Sequence, residues 1–148
     1  MRSFLATTAL AVTVLATAGA TSAQGAKVVP KKGATIRTAG GSVSVTIRVS
    51  ADGSRLDMVR VLMSGVCDDG GRVRVMEELS APLRRGAGFR AGGERISIRG
   101  RFVGSRKVKG RARLHYVGRR TPPPGTGTGN EAVDFRCTSG PVRFTAGR

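Results

Sequence analysis

The feature that most limits what this chain can fold into is a period-two alternation of apolar and polar residues. In residues 42–50, Val43, Val45, Ile47 and Val49 fall on one face, and Ser44, Thr46 and Arg48 on the other. That is the pattern of a half-buried strand. Asp52-Gly53 follows, a dipeptide that tolerates the positive φ angles of a tight hairpin turn. The chain returns through residues 55–63, where Leu56 and Met58 share one parity and Val59, Val61 and Met63 share the other. A parity switch within one strand predicts a bulge near residues 57–59.

Gly70-Gly71 makes the next break. Residues 72–83 read as a strand through Val73 and Val75, although Val75, Met76, Leu79 and Leu83 also suit a helical face. The strand is preferred because everything around it is β. Residues 95–103 place Ile96, Ile98, Gly100 and Phe102 on one side, with Arg99 and Arg101 on the other. After a turn near residues 104–106, Val108, Gly110, Ala112, Leu114 and Tyr116 line one face, and Lys107, Lys109, Arg111, Arg113 and His115 the opposite one. Gly100 and Gly110, on inward faces, leave room for close approach or bending. Residues 131–137 and a last strand with Val142, Phe144 and Ala146 close the chain, and Pro141 sets that strand's start or marks it as an edge. Short strands joined by Gly-rich turns, without a credible long helix, predict an all-β fold, an antiparallel β-sandwich or small barrel. A meander is the simplest topology.

The first residues follow a different logic. Arg2 is followed by an uncharged run from Phe4 to Ala18 and by the small residues Gly19-Ala20-Thr21-Ser22-Ala23. A short positive segment, an apolar stretch and a small-residue tail form a signal peptide, with cleavage expected after Ala23, or alternatively after Ala20. Thr7, Thr8, Thr13 and Thr17 dilute the run, which falls short of the roughly 20 residues a spanning helix needs. No second hydrophobic segment follows, so no membrane span is expected after cleavage. The product is expected outside the cell or at its envelope.

Removing residues 1–23 from the 148 leaves 125, enough for one domain with one core. Residues 24–34 are polar, basic and interrupted by Gly and Pro, and read as a flexible lead-in. Residues 35–148 form the single β-domain, with a Pro/Gly-rich loop at 118–130 that contains Pro122-Pro123-Pro124. The core is light in aromatics: no Trp, one Tyr and five Phe, with Phe4 in the signal. Two cysteines, Cys67 and Cys137, read in an exported chain as a disulfide, the alternative being two free thiols. The bridge would close a loop of about 70 residues, for which chain entropy gives roughly 4 kcal/mol.

Several segments together carry a resemblance. These are Asp52-Gly53-Ser54; Cys67-Asp68-Asp69-Gly70; Ile98-Arg99-Gly100-Arg101-Phe102; Lys109-Gly110-Arg111-Ala112-Arg113-Leu114; and the stretch from Cys137-Thr138-Ser139-Gly140 to Val142-Arg143-Phe144-Thr145-Ala146. The chain resembles a group of small exported all-β domains of high-GC actinobacteria over residues 35–148. Its most specific parts are the two cysteine-centred segments and the closing strand, where the group often has Trp in place of Phe144. Residues 121–129 look like an insertion. The resemblance implies the β fold and the disulfide, and carries over no activity or site residues.

Chemistry-bearing constellations are sparse. His115 shares its strand face with Arg111 and Arg113, cations that do not assemble a catalytic triad around it. No G-x-S-x-G elbow, H-E-x-x-H or Gly-rich phosphate loop is present. Asp68-Asp69 beside Gly70-Gly71 could offer oxygens to calcium, reinforced by Glu77-Glu78 if the fold brings them alongside, but the acid-rich loop of a calcium site is missing. No catalytic residue, metal ligand or cofactor is nominated, and the domain is expected to be non-enzymatic.

Charge is the remaining signal. The chain carries 26 Lys and Arg against 9 Asp and Glu, a net +17, with Arg outnumbering Lys 21 to 5. Residues 84–120 hold 13 basic residues and a single acid, Glu94. If the two clearest strands pair as a hairpin, Arg99, Arg101, Lys107, Lys109, Arg111 and Arg113 share one outward face. Such a face would attract anionic cell-wall polymers or lipid headgroups. Specific nucleic-acid recognition is disfavoured, because single-strand binding wants stacking aromatics among the basic residues, and only Tyr116 is near, on the other face. The alternative is a small-ligand carrier with an apolar barrel interior; a hydrolytic enzyme ranks last.

Overall fold

Alternation dictates the backbone. The computed structural model describes residues 28–38, 41–121 and 132–147, and within them nine strands and no helix. They are β1 (Thr35–Arg37), β2 (Val43–Val49), β3 (Arg55–Cys67), β4 (Arg72–Pro82), β5 (Gly88–Gly92), β6 (Ile96–Gly104), β7 (Lys107–Arg120), β8 (Val133–Thr138) and β9 (Val142–Ala146). The expected signal peptide, residues 1–23, lies outside the described residues.

Every pairing is antiparallel. The Asp52-Gly53 turn joins β2 to β3, with Gly53 at φ 77°. The β3–β4 register shifts between Leu56 and Val59, the bulge that the parity switch anticipates. Residues 72–82 are a strand, not a helix.

The topology departs from a meander. β3 is 13 residues long and β7 is 14, and each outruns its hairpin partner. On the side of β3 away from β4, β2 reaches Met63, and β8 then takes over at Val66 and Cys67. β7 likewise pairs with β6 up to Leu114, while its other side is covered by β9 from Val108 to Ala112 and by β8 from His115 to Arg120. Ser139 links these two segments: its N–H donates to Leu114 O (3.2 Å), and its Oγ accepts from Leu114 N (3.0 Å). The free ends of the two long strands thus admit β8 between them. The outcome is one curled antiparallel sheet, a half-barrel, with a single Cys67–Cys137 disulfide.

The concave side is the core. Ile36, Val45, Ile47, Leu56, Val59, Val61, Ile96, Val108 and Leu114 are wholly buried, and Phe102 is 1% exposed. The scarcity of aromatics is met by placement. Phe89, Gly100, Gly110 and Phe144 stand in one row across β5, β6, β7 and β9. The outer two rings fold over the inner two glycines: a Cβ on Gly100 would lie 2.7 Å from Phe89 Cζ, and one on Gly110 2.5 Å from Phe144 Cζ. Two rings thus cover four strands because the middle positions have no side chain.

Two boundaries differ from expectation. Of the lead-in at 24–34, the described residues from 28 onward are docked. Lys31 N donates to Ser105 O (2.8 Å), Gly33 N donates to Ser50 O (3.1 Å), and Ala34 and Pro30 are buried. The loop expected at 118–130 begins later, because β7 continues through Arg120. Gly118 lies under the Phe135 ring, and Arg119 and Arg120 reach Asp134 and Asp69 (3.1 Å each). Residues 122–130 of that loop lie outside the described residues.

Candidate anion-binding face

Inward placement of Phe89, Ile98, Gly100, Ala112 and Phe144 forces the intervening residues of the same four strands outward. Arg90 lies opposite Arg99, Arg99 opposite Arg111, and Arg111 opposite Arg143. Four arginines therefore cross β5, β6, β7 and β9 in a single row, all exposed. Neighbouring strands are about 4.8 Å apart, so the row is dense in positive charge.

The flanking rows are smaller. On one side run Gly88, Arg101, Lys109 and Thr145, and on the other Gly92, Ser97 and Arg113. The small residues open hollows against the row. One, of about 260 Å³, is bordered by Arg90, Ser97, Arg99, Arg111, Arg113 and Pro141. A second, of about 690 Å³, lies on the other side of the row, where Arg84, Arg85, Arg101 and Lys109 join it.

Of the residues named from sequence, Arg99, Arg101, Lys109, Arg111 and Arg113 share this face, and Lys107 sits at its turn end, paired with Gly104. Arg90, Arg143, Arg84 and Arg85 belong to it as well and were not anticipated. Arg143 had the outward parity of the last strand, but that strand's place beside β7 is a long-range pairing.

The face has no acidic counterweight among the described residues. The ion pairs there join Arg55 to Asp57, Arg60 to Glu78, Arg119 to Asp134 and Arg120 to Asp69, all away from the row. Like charges directly opposite on neighbouring strands destabilise a sheet.

The remaining candidates are accounted for differently. His115 is exposed on β7 opposite Thr138, in a hollow of about 380 Å³ that also touches Arg95, Tyr116 and Cys137. Asp68 Oδ1 accepts from Arg136 N (3.0 Å), which ties the β3–β4 turn to β8, and Asp69 Oδ1 accepts from Gly71 N (2.8 Å) within that turn. Glu78 pairs with Arg60, while Glu77 accepts the N–H groups of Glu94, Arg95 and Ile96. Among the described residues no group of three or more His, Cys, Asp or Glu is placed to hold a metal ion. Among the described residues no helix is long and apolar enough to cross a membrane. The concave interior between the strands is occupied by the side chains of the core. No family model, curated protein or solved structure matches the chain.

Proposed function

We propose that this is an exported, non-enzymatic β-domain that binds anionic polymers or headgroups of the cell envelope through the outward face of β5, β6, β7 and β9. The observation that carries this reading is the row Arg90–Arg99–Arg111–Arg143 with its flanking cations, which no ion pair among the described residues neutralises. Arginine presents a planar fork of donors suited to phosphate and carboxylate. A concentrated field of one sign raises the local concentration of anionic partners and speeds their capture. Export is supported by the signal-like first 23 residues and is compatible with the disulfide. An apolar carrier is less well supported, because the core side chains fill the concave side.

Retention on an anionic matrix tests the reading, with a variant in which Arg99, Arg101, Arg111 and Arg113 are all changed to Gln. The natural chain is expected to elute at clearly higher salt. Elution of both at the same modest salt would overturn the proposal.

A further inference from the structure

Resting on that reading, we infer that the ligand is a linear, ring-free phosphate polymer lying across the strands along Arg90, Arg99, Arg111 and Arg143. One of its phosphates seats in the hollow beside Ser97. Three observations carry this.

The first is direction. Basic residues also run along β7, as Lys107, Lys109, Arg111 and Arg113. Same-face neighbours along a strand are nearly 7 Å apart, against about 4.8 Å across strands. The crossing row is therefore the denser line of charge. It is also wholly arginine, and hollows flank it on both sides.

The second is the chemistry of the seat. Arg90, Arg99, Arg111 and Arg113 border one small hollow together with Ser97. A single bidentate guanidinium already satisfies a carboxylate, whereas consecutive phosphates of a linear polymer, each with two charged non-bridging oxygens, offer acceptors to several donors around one hollow.

The third is what the face lacks. Phe89, Phe102 and Phe144 are buried on the opposite side of these strands, so neither bases nor sugar rings find an aromatic surface to stack on. The face is also the convex side of a curled sheet, which meets a flat bilayer along a line, whereas a flexible chain can follow its curvature.

The experiment measures affinity for linear polyphosphate over a range of salt, with oligothymidylate and phosphatidylglycerol vesicles as competing probes at equal charge. Two variants remove the same charge: Arg90→Gln/Arg143→Gln at the ends of the crossing row, and Lys107→Gln/Lys109→Gln on the β7 run. The row variant is expected to lose about tenfold in affinity, and its log-affinity against log-salt slope should become shallower by about two. The β7 variant should lose clearly less, and polyphosphate should outcompete both other probes. Equal losses in the two variants would overturn the crossing direction, and tighter binding of oligothymidylate or vesicles would overturn the ligand class. Failure of the natural chain to bind any of the three would instead overturn the polyanion reading itself. Thermal unfolding of both variants at or above that of the natural chain shows that a loss of affinity concerns binding and not folding.

Discussion

Arg99 on β6 and Arg111 on β7 are direct cross-strand partners, and each faces a further arginine on its other side, Arg90 and Arg143. A sheet gains stability from opposite charges or apolar pairs at such positions and loses it from like charges, by roughly 0.2–1 kcal/mol per pair. Three successive like-charged pairs are a local sacrifice of stability, and anion binding would offset it.

Arg99→Thr is therefore expected to stabilise the free protein. It relieves two of the three repulsive pairs and places a good strand former in β6. The gain should be about 0.5–1 kcal/mol at low salt. It should shrink towards 1 M salt, where the screening length falls to about 3 Å. Urea unfolding at the two salt concentrations measures it, and a net loss at low salt would show that packing of the Arg99 stem outweighs the repulsion.

Cys67 and Cys137 are cross-strand partners, and Tyr116 continues their row on β7. Of β3, only Val66 and Cys67 pair with β8, so the bridge reinforces a two-residue ladder that is otherwise continued only by the bonds between Asp68 and Arg136. Cys67→Ala/Cys137→Ala is expected to lose about 2–5 kcal/mol in urea unfolding. In the natural chain alkylation should label no cysteine before reduction and both afterwards, read from intact mass.

Much of this fold was legible in the sequence wherever the alternation ran long enough. β2, β6 and β7 declare their faces over several periods, and the parity switch at Asp57 located the bulge. β5 was not legible: Phe89 and Ala91 between glycines are only one period of alternation, and the turn before it lacks an Asn-Gly or Asp-Gly signal. β1, three residues long, is shorter still. The candidate face was half legible for a related reason. Arg99, Arg101, Lys109, Arg111 and Arg113 follow from local parity within one hairpin. Arg90 and Arg143 are brought in by β5 and β9, the first unseen and the second placed by pairing with a strand more than 30 positions earlier. Periodicity specifies which way a residue points, and long-range register specifies what stands beside it.

The glycine–phenylalanine row gives a further expectation. A Cβ at Gly110 would lie 2.5 Å from both Phe144 Cζ and Arg99 O, and the carbonyl belongs to the paired backbone and cannot swing away. Gly110→Ala is expected to cost about 1–3 kcal/mol through overpacking. Gly140→Ala, where a Cβ meets nothing within 4 Å, should stay within about 0.5 kcal/mol of the natural chain. Equal effects in thermal unfolding would mean that the row can spread without loss.

Acid should weaken the first hairpin. The Asp52 carboxylate accepts from the Ser50 hydroxyl, the Ser54 N–H and the Ser54 hydroxyl, bonds that hold its pKa well below the usual carboxylate range. A depressed folded-state pKa contributes stability that is complete above the unfolded value of about 4 and is lost as pH falls below it. The urea midpoint of the natural chain should therefore fall more steeply below about pH 4 than that of Asp52→Asn. Identical pH profiles would show that the turn does not depend on the charge.

Adjacent glutamates on β4 should behave differently although they carry the same charge. Glu78 makes a single ion pair with Arg60, 2.8 Å long, between side chains that are 54% and 51% exposed; such surface pairs contribute about 0–1 kcal/mol. Glu77 points the other way. Its Oε2 accepts from Ile96 N (2.6 Å) and Arg95 N (3.3 Å), and its Oε1 accepts from Glu94 N (2.9 Å). One carboxylate thereby ties β4 to the start of β6 across a seam where no β4–β6 ladder forms. In Glu77→Gln one oxygen becomes an amide donor facing backbone donors. The loss is expected to be about 1–3 kcal/mol, with faster hydrogen exchange at the Ile96 amide. Glu78→Gln should change the unfolding midpoint little and leave that amide protected. If the two variants behave alike, the seam is held by packing and not by the carboxylate.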